Sequence, residues 1–229
     1  MKMNDTYEYV EDQSISIQHY VNNIFKWMVL GVAITFLTAF GLERTSFVYD
    51  AGLIPLIAIV LQLFVAVRIA RHLLSMKAST MKFLYIAYSV LTGMTFSIVI
   101  SCYTAMSVTL AFLVAAIYFG VLVIVGTVLK KDLTKIGTIC YTGLFVYVIF
   151  SIIAMIFNLG ISSLLLPLIS LVLFAGITAY DMQKAIQFYY QAQSNNEMLT
   201  KLSIYGAFTL YLDFVNIFLD ILQLLGKEN

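Results

Sequence analysis

The sequence predicts an all-α integral membrane protein, in which seven transmembrane helices form a bundle with the last helix at its centre. Hydrophobic residues make up 62% of the 229-residue chain and charged residues only 11%, whereas a soluble domain carries about 25% charged residues. The apolar residues also form long blocks, close to the roughly 20 residues that span a bilayer. The last block carries carboxylates, which must face protein or water because a charge in hydrocarbon is costly.

Seven apolar segments are predicted to be the membrane-spanning helices. Each approaches or exceeds the length that a helix needs to cross the hydrocarbon core. In order, they cover approximately residues 26–42, 53–74, 83–103, 108–129, 136–157, 163–185 and 202–225. Because the connections are short, one transmembrane domain is predicted over 26–229. The polar stretch 1–25 is predicted to be a cytosolic N-terminal tail.

The lysine and arginine residues predict the orientation of the bundle. With the N-terminus in the cytosol, eleven of them fall on the inner side and only Arg44 and Lys227 fall outside, as the positive-inside rule requires. A re-entrant last segment would instead return the C-terminus to the cytosol. The short loops and the absence of a targeting sequence favour a bacterial plasma (inner) membrane. A net charge of +1 does not indicate a nucleic-acid-binding surface. The lipid bilayer is the expected partner.

The last segment carries a polar stripe at helical spacing. Its members fall near one face because steps of three and four residues return to the same side of a helix. They are Ser203, Gly206, Asp213, Asn216, Asp220 and Gln223. The stripe predicts a helix that is surrounded by the others and lines a polar cavity or pore. The alternative is a stripe that only hydrogen-bonds neighbouring helices.

Three ionisable residues on different segments are predicted to meet in the cytosolic half of the membrane. At about 1.5 Å per residue, Arg68 lies about 22 Å along the second segment, Asp181 about 27 Å along the sixth and Asp213 about 15 Å along the seventh. Two buried carboxylates cannot both ionise cheaply, so the pair is expected to share one proton while Arg68 competes for the anion. Arg71 competes with Arg68 for this role. In the alternative, Arg68 reaches the interface and Asp181 lies in water.

Two runs on the last segments carry paired A-Y-D and L-Y-L-D-F motifs. They are GITAYDMQKAIQFYY (176–190) and LSIYGAFTLYLDFVNIFLDILQLLG (202–226). The runs resemble the Bax inhibitor-1 family, and the resemblance covers nearly the whole chain from the second segment onward. It implies a seven-helix fold with a central last helix and, for bacterial members, a pH-sensitive calcium leak channel. The implied proton sensor is Asp181 with Asp213, and the implied closing arginine is Arg68.

The same resemblance implies that Ca²⁺ is the permeant ion and that no cofactor is required. Asn216, Asp220 and Glu43 are candidates to line the pore or attract the cation, because oxygen ligands suit hard cations. These residues do not single out Ca²⁺ from Mg²⁺, Na⁺ or protons, and they define no metal site. In some relatives, a glutamate and a basic residue on the last helix form a latch that closes the outer side. Segment seven has no Lys or Arg past Lys201, so this latch is expected to be absent.

Two other functions stay open on the sequence, and enzymatic activity is not expected. The protein would act as a regulator that binds other membrane proteins, or as a proton-coupled cation transporter. An intramembrane aspartyl protease would place its second aspartate in a Gly-x-Gly-Asp turn. This chain has Tyr211-Leu212-Asp213 at that point, which argues against the protease.

Overall fold

Seven α-helices account for most of the residues that the computed structural model describes. The structure describes residues 15–45, 47, 52–73, 75–159, 164–192 and 195–227. The helices are α1 (Ile17–Glu43), α2 (Ile54–Arg71), α3 (Ala78–Ser101), α4 (Ala105–Val128), α5 (Thr134–Ile156), α6 (Leu165–Ala192) and α7 (Asn196–Leu225). Each is long and apolar enough to cross a bilayer. The predicted all-α, seven-helix class is therefore confirmed.

Helix α1 begins at Ile17, nine residues before the predicted start of the first span near residue 26. The Ser16 side chain caps the helix by accepting a hydrogen bond from the His19 amide. The first turns are polar on one face only, and their other face buries Tyr20 and Ile24. Hydropathy detects the purely apolar part of a helix and misses such amphipathic turns. The predicted tail 1–25 thus contributes 17–25 to α1, and residues 1–14 lie outside the described residues.

Helices α6 and α7 also extend beyond the predicted segments, towards the connection between them. Helix α6 continues to Ala192, and α7 already begins at Asn196. The Asn195 side chain caps α7 by accepting a hydrogen bond from the Met198 amide at 2.9 Å. At the far side of this region, the Tyr189 hydroxyl donates to the carbonyl of Ile15 at 2.9 Å. These polar turns project from the apolar part of each span.

Helix α7 is the central helix, as predicted. It packs against α1, α3, α4 and α6, and 61% of its most apolar window is buried, against 17% for α2 and none for α5. Aromatic rings fill the space around it, with Phe36 of α1 and Phe96 of α3 both in contact with Phe218. Such a packed aromatic core fixes α7 relative to α1 and α3.

Helices α2 and α5 lie at the periphery of the bundle. Helix α2 packs mainly against α3, and α5 packs mainly against α6. The side chains on their other faces are large, apolar and exposed, as expected for surfaces that meet lipid. The two helices are therefore held by fewer contacts than the four that surround α7.

The two ends of the bundle differ in charge. The start of α1 lies beside the start of α7 and the end of α6. Asn23 of α1 donates a hydrogen bond to Ser203 of α7 at 2.7 Å, and Tyr20 of α1 donates one to the Ala185 carbonyl of α6 at 3.1 Å. The connections that reach this end, with the helix turns that flank them, carry Arg71, Lys77, Lys130, Lys131 and Lys135. We call it the basic end. At the opposite end, the Thr104 amide donates to the Lys227 carbonyl at 3.1 Å.

Helices α4 and α6 approach each other closely at Gly126. A methyl group at this position would overlap the backbone carbonyl of Ala179 in α6. Backbone atoms have less freedom to move aside than a flexible side chain, so this contact requires glycine. Ala179 lies two residues before Asp181, and the close approach therefore fixes the part of α6 that carries that carboxylate.

We expect Gly126→Ala to lower the free energy of unfolding by about 1–3 kcal/mol, the usual cost of overpacking a close contact. The matched control is Gly120→Ala on the same helix, because a methyl group there meets nothing within 4 Å. Thermal unfolding of the purified variants, followed by circular dichroism, measures both. A Gly126→Ala protein as stable as the Gly120→Ala protein would contradict the tight α4–α6 contact.

Candidate functional site

Three carboxylates lie inside the helical bundle. Asp181 of α6, Asp213 of α7 and Asp220 of α7 expose only 5%, 3% and 7% of their surface. The other predicted site residues are more open, since Asn216 and Glu43 are half-buried and Arg68 is exposed. Ionisable groups are rarely buried among apolar helices without a function. The three aspartates therefore mark the candidate site.

Asp181 and Asp213 form a pair between α6 and α7. The two carboxyl groups lie close enough to interact electrostatically. Asp181 accepts a hydrogen bond from the Tyr141 hydroxyl of α5 at 2.7 Å. Oδ2 of Asp213 has no hydrogen-bond partner within the described part of the chain, and the neighbouring Thr178 hydroxyl lies outside hydrogen-bond geometry. The pair thus combines one oriented carboxyl group with one that is incompletely satisfied.

Helix α5 reaches the pair because Gln183 of α6 fixes the connection that precedes it. The Leu133 amide donates to Oε1 of Gln183 at 2.8 Å, and Nε2 of Gln183 donates to the Lys131 carbonyl at 3.0 Å. A single side chain of α6, two residues from Asp181, therefore holds the start of α5. This arrangement places Tyr141 against Asp181.

A small cavity adjoins the pair on the side of the basic end. Its volume is about 30 Å³, enough for a water molecule, and its walls include Tyr141, Asp181, Phe188, Tyr205 and Thr209. These walls combine polar side chains with aromatic ones. Asp181 therefore borders a small, partly polar cavity inside an otherwise apolar bundle.

Lys184 is a basic side chain close to the pair in this structure. It also lines the small cavity and lies within electrostatic range of Asp181. Its ammonium group sits over the rings of Tyr180 and Phe188, 5.4 and 5.7 Å from their centroids. Sequence reasoning missed this residue, although its spacing of three from Asp181 places both on one side of α6. It missed Tyr141 as well, for which the sequence offers no comparable signal.

Arg68 does not meet the aspartates in this structure. It lies exposed in the last turn of α2, and no ion pair joins it to Asp181 or Asp213 within the described ranges. Depth along a helix fixes the level of a residue in the membrane, but not the side of the bundle on which its helix packs. Helix α2 packs mainly on α3, so the predicted meeting of the three groups is not observed.

A wider cavity separates the end of α2 from the α6–α7 region. Its volume is about 610 Å³, and its walls include Arg71, Phe188, Met198 and Leu202. Phe188 thus lines both this cavity and the small one beside the pair. Its ring also contacts that of Tyr205, with centroids 6.4 Å apart. One aromatic side chain therefore lies between the wide cavity and the carboxylates.

The polar stripe predicted on α7 does not form a single open face. Asp213 and Asp220 are buried, whereas Asn216 is half-buried and Gln223 is exposed. Over 203–223, the less buried positions of α7 are Tyr205, Thr209, Leu212, Asn216, Leu219 and Gln223. The two aspartates therefore point into the packed bundle, and only Asn216 and Gln223 belong to the more open side.

The described residues contain no cluster of three or more His, Cys, Asp or Glu side chains that would hold a metal ion. An ion near the pair would depend on one or two carboxylates, hydroxyl or carbonyl oxygens, and water. Such a ligand set is sparse for Ca²⁺, which prefers six to eight oxygens.

Comparison with known proteins identifies the family. The family described as "Inhibitor of apoptosis-promoting Bax1" matches residues 17–229. The inner membrane protein YbhL of Escherichia coli is 30% identical over 217 residues, which cover 93% of each chain. A protein of Deinococcus radiodurans is 34% identical over 217 residues (91% of this chain and 90% of that protein), and the protein YrjE of Lactococcus lactis is 32% identical over 238 residues (98% and 97%). The chain therefore belongs to the Bax inhibitor-1 family of multi-pass membrane proteins.

Proposed function

We propose that this protein is a passive, pH-modulated calcium leak channel in which Asp181 and Asp213 sense protons. The observation that carries the proposal is the adjacency of these two buried carboxylates, one of them incompletely hydrogen-bonded. Two carboxylates in one low-dielectric site cannot both be ionised cheaply, so they titrate as a unit. The charge of the site then changes when a proton binds. No catalytic step and no cofactor are assigned.

The proton and the permeant cation would compete for the same carboxylates. Ca²⁺ binds oxygen ligands, and a proton on the pair removes the negative charge that attracts it. Tyr141 supports this role because its hydroxyl orients one carboxyl group. Ca²⁺ as the permeant ion is part of the proposal, since oxygen ligands also accept Mg²⁺ and Na⁺.

The path from the basic end would run through the wide cavity and past Phe188. That side chain lines both the cavity of about 610 Å³ and the one of about 30 Å³ beside the pair. We retain Arg68, with Arg71 as its competitor, as the arginine that would close the path. Closure of the wide cavity would bring the end of α2 towards α6 and α7, and a guanidinium group could then bind a carboxylate.

Towards the opposite end, Asn216, Asp220 and Glu43 would attract the cation or line its path. Asn216 lies on the more open side of α7, and Glu43 is the last residue of α1. YbhL is named an inner membrane protein, and we extend that location to this chain. We place the basic end in the cytosol, because positive residues are retained on that side.

We expect Asp213→Asn to abolish the pH dependence of calcium flux, because the pair then loses a titrating group. Calcium entry into proteoliposomes of purified protein, followed with an internal indicator across a pH series, measures it. The matched control is Asp132→Asn. Asp132 is an exposed carboxylate whose Oδ1 accepts hydrogen bonds from the Thr134 amide and hydroxyl. These bonds lower its pKa below the usual value, and asparagine preserves the turn.

Each other outcome of this assay favours a different function. A pH response of Asp213→Asn equal to that of the wild type would remove the pair as the sensor. Absence of calcium flux at every pH, with the protein folded, would support a regulator that binds other membrane proteins. Saturable flux coupled to proton movement would support a transporter.

We expect Phe188→Ala to raise calcium flux several-fold at each pH, because the two cavities that share this ring would merge. The control is Phe83→Ala, which removes an aromatic ring that is 70% exposed on the outer surface. The same proteoliposome assay measures both. Unchanged flux in a folded Phe188→Ala protein would exclude a path past this side chain.

A further inference from the structure

Asp220 is a buried carboxylate that does not belong to the pair. It is 7% exposed, and its Oδ2 has no hydrogen-bond partner within the part of the chain that the structure describes. No ion pair within the same ranges involves it. A buried polar atom that is left unsatisfied requires an explanation, such as an ion or water that binds there. Asp220 therefore points to a ligand.

Hydroxyl-bearing side chains from three other helices lie in the neighbourhood of this carboxylate. Ser170 of α6 is itself 4% exposed and adjoins Asp220. Tyr118 of α4 and Tyr147 of α5 lie within electrostatic range of it. The Tyr118 hydroxyl donates to the carbonyl of Leu171 at 3.2 Å, which fixes that tyrosine beside Ser170. One carboxylate and several neutral oxygens thus occupy the same region between four helices.

This cluster lies above the Asp181–Asp213 pair, towards the opposite end of the bundle. Asp220 follows Asp213 by seven residues on α7, which corresponds to about 10 Å and nearly the same side of the helix. Ser170 precedes Asp181 by eleven residues on α6, again nearly on the same side. Because α6 and α7 run in opposite directions, both displacements lead to the same end. The two sets of oxygens are therefore stacked along one route.

We propose that Asp220, Ser170, Tyr118 and Tyr147 form a second binding station for a hard divalent cation, distinct from the Asp181–Asp213 pair. The inference rests on the proposed cation path, of which this station is the outer stage. Carboxylate and hydroxyl oxygens are the ligands that such cations prefer, and water completes the shell. A single carboxylate binds weakly, which suits an ion that must also leave.

Terbium luminescence tests the station at equilibrium, without any flux. Tb³⁺ replaces Ca²⁺ on oxygen ligands, and tyrosine side chains beside a bound ion transfer their excitation to it. The protein is reconstituted in nanodiscs of phosphatidylcholine, so that the lipid carries no net charge. Tb³⁺ is titrated into wild type, Asp213→Asn, Asp220→Asn and the double variant, and then displaced with Ca²⁺.

We expect Asp213→Asn to retain a Tb³⁺ luminescence signal that Ca²⁺ displaces. The double variant is expected to lose this signal, or to bind Tb³⁺ about tenfold more weakly, a difference of about 1.4 kcal/mol. Asp220→Glu keeps the carboxylate and is expected to retain the signal, which separates loss of the ligand from loss of the fold. The control Gln223→Ala alters the exposed neighbour on α7 and is expected to bind like the wild type.

Equal Tb³⁺ binding by Asp213→Asn and the double variant would overturn the station, and so would equal loss in Asp220→Glu and Asp220→Asn. Both results leave the proton-sensing pair intact. Conversely, Asp220-dependent binding in a protein that shows no calcium flux would refute the leak channel while supporting the station. The two proposals therefore fail by different observations.

Discussion

The burial of carboxylates between α6 and α7 is the constraint on which the rest of the structure depends. A carboxylate in hydrocarbon is costly, so Asp181, Asp213 and Asp220 must be enclosed by protein. The central position of α7, which packs against α1, α3, α4 and α6, provides this enclosure. The aromatic rings around Phe218 then serve the site as well as the fold, because they keep lipid away from the acidic helix.

The bundle combines a firmly packed centre with two peripheral helices. Contacts such as Gly126 against Ala179 hold the helices that carry the carboxylates, so the pair is built on rigid elements. Helix α5 contributes Tyr141 from the periphery, and Gln183 anchors its start. Among the described residues, helix α2 is joined to α3 by a long side-chain hydrogen bond from Gln62 to Thr95 at 3.4 Å, and the wide cavity lies beside its end. A change in the position of α2 therefore requires little disturbance of the centre.

The sequence is sufficient to predict the number of helices and which helix is central. Both follow from long apolar blocks and from carboxylates that lipid cannot accommodate. It also predicts the Asp181–Asp213 pair, because the motifs and the depth calculation agree. It fails for Arg68, since depth does not determine on which neighbour α2 packs. Tyr141 reaches Asp181 through the packing of α5 on α6, whereas Lys184 lies on α6 itself, within electrostatic range of Asp181. Only the local spacing of Lys184 is visible in the sequence.

Infrared spectroscopy of the protein in lipid tests most directly whether the pair holds a shared proton. A protonated carboxyl group has a carbonyl stretch distinct from that of the carboxylate. We expect such a band at neutral pH, where exposed aspartates are ionised, and we expect both Asp181→Asn and Asp213→Asn to change it. A spectrum without this band at neutral pH, or a band that neither substitution alters, would contradict a proton shared by Asp181 and Asp213.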